Sequence, residues 1–313
     1  MAGPAPILVV GASGFVGRAL VRTMAKEGLR GVALSRSPPP ASEAVRSAGI
    51  DSYSDSDAVA AAAAGCASAI LLAGRAHVLA ERATDPLRAF MTANRDMPVA
   101  VARGFAAAGG RRLVFVSSVA VNGTETRGTP FRESGRPAPT NDYGRSKLEG
   151  EQALAAECAA LDLELVIVRP PLVYGPGAPG NFGQLLSAAR RGIPLPLASI
   201  RNRRDFIGID NLVDILLRAA AHPAAAGETF LVSDGQTVST SAFVGGLYRA
   251  AGHSRRLWPF PPTLLRAAAT ALGRRDAAER LLGDLELDIA HVRRRLDWEP
   301  PVGLDEGLRR SVQ

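Results

Sequence analysis

The chain alternates short apolar runs with stretches of helical spacing. Residues 7–10, 31–34, 69–72, 112–119 and 229–232 are largely apolar runs of strand length. Residues 18–27, 43–48, 86–108, 143–160, 181–191 and 211–221 carry the composition and spacing of helices. Pro98 is expected to kink the third of these. Strand–helix alternation of this kind predicts an α/β chain with a parallel sheet, whose ligands bind beyond the carboxyl ends of the strands. Past Gly175 the pattern breaks into proline-rich loops and short elements, the expected substrate region. There Ser239 is a candidate helix cap, and residues 263–272 are an amphipathic piece expected to pack on the core rather than on a membrane.

The first strand runs into Gly11, Ala12, Ser13, Gly14, Phe15, Val16 and Gly17, and then into a helix. Glycines in this place permit a tight turn, bring backbone close to a pyrophosphate and let the helix pack on the strand, while the helix N-terminus offers N–H donors. A glycine triplet alone is a weak sign. At the very first strand it predicts a dinucleotide site built from Gly11, Ser13, Gly14, Phe15, Val16 and Gly17. The second strand ends at Ser35 and Arg36, where such folds often place an acid on the adenosine ribose. A guanidinium there can take a 2′-phosphate, so the expected cofactor is NAD or NADP, with NADP favoured; it can also stack on adenine or face water. Leu72, Ala73 and Gly74 close the next strand, where a small residue lets backbone pass near the cofactor. Asn94 falls on a helical turn that either faces this site or is ordinary surface.

Ser117 and Ser118 stand where the run 112–119 ends, and a turn-rich loop over 122–142 can fold back over them. Ser118 can then share a substrate hydroxyl with Tyr143; read alone, a strand-end serine is more often a local backbone cap. Tyr143 and Lys147 are four residues apart in a helix and so share one face. A phenol normally titrates near pH ~10, and a neighbouring cation favours its ionised form, making it a usable base. The chain has only two lysines, Lys26 and Lys147, which makes a chance match of this spacing uncommon.

A length of 313 residues suits two domains or one large α/β unit with a full core. The formal net charge of +7 comes almost entirely from arginine, in scattered clusters such as Arg111-Arg112, Arg255-Arg256, Arg274-Arg275 and Arg293-Arg294-Arg295. Without an aromatic stacking platform these predict solvated surface and no nucleic-acid partner. Cys66 and Cys158 show no metal or disulfide spacing, as expected of two packed thiols in a cytoplasmic protein without a metal. Residues 58–74 are alanine-dominated and short for a membrane span, and the N-terminus shows no signal-peptide pattern.

Taken in order, Gly11-x-x-Gly14-x-x-Gly17, Val116-Ser-Ser118 followed by Val121-Asn-Gly123, Tyr143-x-x-x-Lys147, and Arg169-Pro-Pro-Leu-Val-Tyr-Gly-Pro176 resemble the extended short-chain dehydrogenases/reductases, in their nucleotide-sugar epimerase/dehydratase branch. The resemblance covers nearly the whole chain. It implies a Rossmann fold: a doubly wound, mostly parallel sheet of seven strands, with an NAD(P)-binding domain over 1–170 and a small C-terminal α/β substrate-binding lobe over 171–313, interleaving allowed. It further implies that Ser118 hydrogen-bonds the reacting hydroxyl, that Tyr143 is the acid/base, and that Lys147 holds the nicotinamide ribose while lowering the tyrosine pKa. Pro170 and Val173, after Arg169, would line the nicotinamide. Asn181 would meet the nucleotide end of a nucleotide-diphosphate sugar, with helix capping as its alternative, and Arg204 would read the diphosphate. A homodimer through two helices, one of them 143–160, follows from the same likeness.

Two departures narrow the reaction. Dehydratases of this branch carry an Asp-Glu pair after the catalytic threonine or serine, whereas Val119 and Ala120 follow Ser118. Enzymes that join 3,5-epimerisation to reduction use an added cysteine, and none stands near Ser118. Asn122 replaces the tyrosine of the family's Val-Tyr-Gly. The expected chemistry is oxidoreduction at C4, either 4-epimerisation with a retained cofactor or one-way reduction of a 4-ketone. A reductase for a non-nucleotide alcohol and a non-catalytic nicotinamide sensor are weaker readings, the latter because serine, tyrosine and lysine are all kept.

Overall fold

The computed structural model describes residues 5–76, 84–254, 256–271, 273 and 275–313, the side chains of 275–277 excepted. The first half runs β1 (Ile7–Val10), α1 (Phe15–Lys26), β2 (Gly31–Ser35), β3 (Val45–Gly49), α2 (Ser56–Ala63), β4 (Ser68–Leu71), α3 (Pro86–Met91), α4 (Met97–Ala107), β5 (Arg112–Val116) and α5 (Asp142–Ala160). The second runs β6 (Glu164–Arg169), β7 (Leu172–Tyr174), α6 (Gly180–Arg190), β8 (Phe206–Gly208), α7 (Ile209–Ala221), β9 (Thr229–Leu231), α8 (Thr240–Ala250), α9 (Pro262–Ala271), α10 (Arg275–Leu282), α11 (Ala290–Leu296) and α12 (Leu304–Val312).

Seven strands form one sheet in the order β3-β2-β1-β4-β5-β6-β9, every neighbouring pair parallel. Successive side chains of a strand point to opposite faces. Leu8 and Val10 of β1 therefore enter one core, with Val59 of α2, Val101 and Phe105 of α4 and Leu154 of α5. Val9 enters the other, with Leu20 and Met24 of α1 and Ile215 and Leu216 of α7. Burial on both faces is why these strands read as unbroken apolar runs. The chain leaves β1 toward one edge and β4 toward the other, so the carboxyl ends of these two neighbours border the crevice where such sheets bind ligands. Gly11 makes the turn possible: its φ is 92°, and a Cβ there would stand 2.6 Å from the Ala73 nitrogen.

Chain beyond residue 171 takes part in both layers. α7 covers the main sheet, and β9 extends it by pairing Thr229 with Ile167. The rest builds a lobe around the two-stranded β7-β8 pair, with Tyr174, Phe182, Phe243 and Tyr248 at its centre. Phe206 and Phe243 stack there at 3.9 Å between centroids.

Four local expectations change. Residues 43–48 form no helix: Val45–Gly49 is the edge strand β3, because backbone pairing of Val45 to Gly31 outweighs the helix propensity of so short a segment. The helix expected over 86–108 is not kinked at Pro98. It is interrupted earlier by a π-helical turn, Thr92–Asp96, and Pro98 sits in the first turn of α4, where its missing N–H costs nothing. β5 stops at Val116, and Ser118 instead caps a 3₁₀ turn over Val119–Val121. α9 buries none of its residues, contrary to the core packing expected of it, and only Leu265 and Ala269 lean on the lobe core. Arg255, Leu272 and Arg274 lie outside the described residues.

Candidate active site

The carboxyl edge of β5 and the first turns of α5 bring the predicted catalytic side chains together. Asn141 caps α5 by accepting from the Gly144 N–H at 2.8 Å, which sets the helix so that Tyr143 meets Ser118. The Ser118 Oγ accepts from the Ala120 N–H at 3.2 Å and hydrogen-bonds the Tyr143 hydroxyl, so the serine is both a local cap and a partner of the phenol. Both residues line one cavity of about 670 Å³ between sheet and lobe.

Lys147 lies one turn further, buried, its Nζ donating to the Val116 carbonyl at 3.0 Å and standing 4.7 Å from the centre of the Phe115 ring. Burial pulls its pKa down to about 8, opposed by the Glu151 carboxylate. The expected lowering of the Tyr143 pKa by this cation is not what the structure shows. Burial raises the phenol instead, and only the Ser118 hydrogen bond works against that rise.

Behind this pair a buried network ties α5 to β6. Glu151, one turn beyond Lys147, accepts from the Arg169 Nε at 2.9 Å and Nη2 at 2.5 Å, both side chains at most 7% exposed. Arg169 also donates from Nη1 to the Asn122 Oδ1 at 3.1 Å, and Asn122 donates in turn to the Arg132 carbonyl, also at 3.1 Å. The asparagine that departs from the family pattern is thus a buried link between the ion pair and the loop after β5. Sequence reasoning assigned it no role. The available signal was Glu151 at helical spacing after Lys147, but its partners come from distant chain.

Asn94 is not ordinary surface. Fully buried in the π-helical turn, it accepts from the Arg75 N–H at 2.9 Å and donates to the Arg75 carbonyl at 3.0 Å and the Ser146 Oγ at 2.9 Å. It fastens the strand-end loop of β4 to α5. A Cβ on Gly74 would come within 2.8 Å of its Oδ1 and 3.5 Å of the Lys147 Nζ.

The crevice at β1 and β4 suits a dinucleotide. Gly14 caps α1, and the N–H groups of Phe15 and Val16 in its first turn have no carbonyl a turn earlier in the helix to bond. Ser13 lies half-buried in the same turn, and Gly17 is buried where any Cβ would strike Gly11 and Ala12. Leu72 and Ala73 both donate backbone N–H groups to the Val10 carbonyl. The hydroxyls of Ser35 and Ser117, at the ends of β2 and β5, are buried without a partner, capacity that ribose hydroxyls can take up. Arg36 is exposed, and its backbone N–H bonds the Tyr53 hydroxyl.

Of the remaining sites, Pro170 is buried, its carbonyl accepting from the Val119 N–H at 3.0 Å, while Val173 lines the cavity. Asn181 lines it too and caps nothing, since the N-cap of α6 is Pro179. Arg204 is 7% exposed on the lobe wall, its Nη1 donating to the Gly283 carbonyl at 2.7 Å. Burial lowers its pKa to about 10, opposed by the Asp284 and Glu125 carboxylates, with the nearby Arg280 adding to the fall. Arg280, not singled out from sequence, lines the same cavity. Around these cations the lobe wall is mostly apolar, with Leu185, Leu195, Phe206, Phe243 and Leu281. Among the described residues no His/Cys/Asp/Glu cluster could hold a metal. Both cysteines are free and buried. No helix among the described residues is long and apolar enough to cross a membrane.

Comparison with known proteins bears on this geometry. The model of the NAD dependent epimerase/dehydratase family matches residues 7–233. A UDP-glucose 4-epimerase of Vibrio cholerae is 39% identical over 243 residues, 77% of this chain and 74% of that protein. A 2-alkyl-3-oxoalkanoate reductase of Stenotrophomonas maltophilia is 30% identical over 97% of each chain. The crystal structure of a UDP-glucuronic acid 4-epimerase from Bacillus cereus in complex with NAD superposes with a TM-score of 0.79 at 19% identity, covering 98% of this chain and 95% of that one.

Proposed function

The chain belongs to the NAD-dependent epimerase/dehydratase family, and from that premise we propose that it catalyses oxidoreduction at C4 of a nucleotide sugar, as a 4-epimerase of a UDP-hexose or its N-acetyl form. The observation that carries this reading is one cavity with two kinds of wall: the Ser118–Tyr143 pair on the sheet side, and Arg204 and Arg280 on the lobe side. The first suits a hydroxyl that gains and loses a proton; the second suits a diphosphate.

NAD supplies a ring that accepts a hydride and gives it back. The glycine turn and the first turn of α1 would hold its pyrophosphate, Ser35 and Arg36 its adenosine ribose, and Lys147 its nicotinamide ribose. Ser118 holds the C4 hydroxyl oxygen, and Tyr143 takes the hydroxyl proton during oxidation and returns it during reduction. Because burial favours the protonated phenol, Tyr143 starts as an acid ready to protonate a ketone oxygen. Oxidation needs the phenolate, so that half-reaction gains rate as pH rises.

Arg36 supports NADP as an exchangeable cofactor and hence one-way reduction of a 4-keto sugar. The apolar lobe wall supports a second substrate class, a non-nucleotide ketone or alcohol, as with the S. maltophilia relative. Denaturing extraction followed by assay separates these. Near-stoichiometric NAD and interconversion of UDP-glucose or UDP-N-acetylglucosamine with the C4 epimer, weakened at least about ten-fold in KM by Arg204→Ala, supports the epimerase. NADPH consumption with a long-chain 3-oxo acid, indifferent to Arg204→Ala, would replace it. The same reading carries a cytoplasmic homodimer, which sedimentation of the purified protein tests.

A further inference from the structure

On the outside of the lobe, segment 193–198 runs beside segment 256–258. The Leu195 N–H donates to the Arg256 carbonyl at 2.9 Å, the Trp258 N–H to the Leu195 carbonyl at 3.1 Å, and the Ala198 N–H to the Trp258 carbonyl at 3.2 Å. This ladder turns Leu195 toward the cavity and leaves Ile193 and Trp258 each 45% exposed. Phe260 packs edge-on against Trp258, and α9 follows at once, with Leu264 in its first turn 54% exposed. Three of the four large exposed hydrophobics among the described residues are therefore Ile193, Trp258 and Leu264, and the fourth, Leu87, lies on α3. Scattered exposed leucines need no explanation, but a patch that joins a tryptophan to an amphipathic helix with no buried residue does.

Charge is distributed just as unevenly. No aspartate or glutamate occurs between Glu164 and Asp205, or between Asp234 and Asp276. These are the stretches that build the ladder and α9, and Arg191, Arg256 and Arg266 are exposed in them. A second copy of this chain would bring the same cations against themselves, a repulsive meeting. Nucleic acid would use the cations but has no place for Ile193 and Leu264. A bilayer with anionic headgroups matches both features, since Trp and Leu enter the boundary of headgroup and acyl chain while arginines meet lipid phosphate.

We propose that the Ile193–Trp258–Leu264 face is a docking surface for an anionic membrane, on which α9 lies in the interface plane. The proposal does not depend on the reading of the active site. Seated this way, the bilayer abuts the wall that Leu195 gives to the cavity.

Trp258 is a built-in reporter, because the chain's other tryptophan, Trp298, is already 1% exposed. With the full chain and vesicles of mixed phosphatidylglycerol and phosphatidylcholine, Trp258 emission shifts to the blue and the protein floats with the vesicles. Pure phosphatidylcholine vesicles and raised salt weaken both signals. The pair Trp258→Ser with Leu264→Gln, and separately Arg256→Gln with Arg266→Gln, each weakens flotation at least about ten-fold. Thermal melting checks that the variants are folded, and the wild-type fluorescence shift stands without them. Absence of both shift and flotation in the wild type overturns the proposal. So does flotation that survives the Trp258→Ser, Leu264→Gln pair, a dimer that this pair dissolves, or tighter binding to duplex DNA than to the vesicles.

Discussion

Behind the Ser118–Tyr143 side of the cavity lies a polar, cross-braced layer: Lys147 is held by the Val116 carbonyl, Asn94 by Arg75 and Ser146, and Arg169 by Glu151 and Asn122. On the lobe side the walls are Leu185, Leu195, Phe206, Phe243 and Leu281, with Arg204 and Arg280 set among them. Directional partners in a dry interior hold groups at fixed positions, and each loses much when one member is removed. Apolar contact is non-directional and grades with area. Under the proposed function, the sheet side would serve chemistry at one atom and the lobe side selection among substrates of similar shape.

Five substitutions press on this contrast. Tyr143→Phe lowers turnover by about 10²–10⁴-fold with dinucleotide affinity unchanged, as read by rapid kinetics and titration; retained turnover would end the role given to the phenol. Glu151→Gln leaves the Arg169 charge buried with an uncharged partner and lowers unfolding free energy by about 3–5 kcal/mol in urea titration. The lobe-side exchange Leu185→Met costs less than ~1.5 kcal/mol in the same titration, and equal losses would erase the difference between the walls.

Lys147→Met separates stability from function. The folded pKa of about 8 lies below the ordinary 10.5, so the folded protein binds fewer protons than the unfolded chain between those values. The cost of burying the charged amine is thus fully present below pH 8 and fades as pH rises toward 10.5. Removing the amine raises the melting midpoint by several degrees at pH 7 and little above pH 10, while activity is lost; an equal rise at both would mean the gain is only packing. Asn122→Ala removes one bond to Arg169 and one to the Arg132 carbonyl, costing about 1–3 kcal/mol, and speeds proteolysis of the loop after β5. Unchanged proteolysis would remove the asparagine from the bracing.

The strands at 7–10, 31–34 and 112–116 were legible because helices cover both sheet faces and leave the runs unbroken. The glycine turn was legible because Gly11 needs positive φ and close approach to Ala73, and the nearness of Tyr143 and Lys147 because helical period alone puts i beside i+4. These are properties of neighbours in the chain. β3 escaped notice because its conformation comes from pairing with β2, and the interruption at Thr92–Asp96 because nothing local marks a π turn. The sequence placed an ammonium near the phenol but could not say which acceptor it would meet; a carbonyl 31 residues away accepts from it, while burial raises the phenol. Likewise Asn122 found its partner 47 residues on, and Arg280 joined Arg204 only through the packing of α10 against the lobe. Local periodicity determines which groups share a face. Desolvation and the identity of a buried group's partner depend on chain that only folding brings near, and so were decided by the tertiary structure.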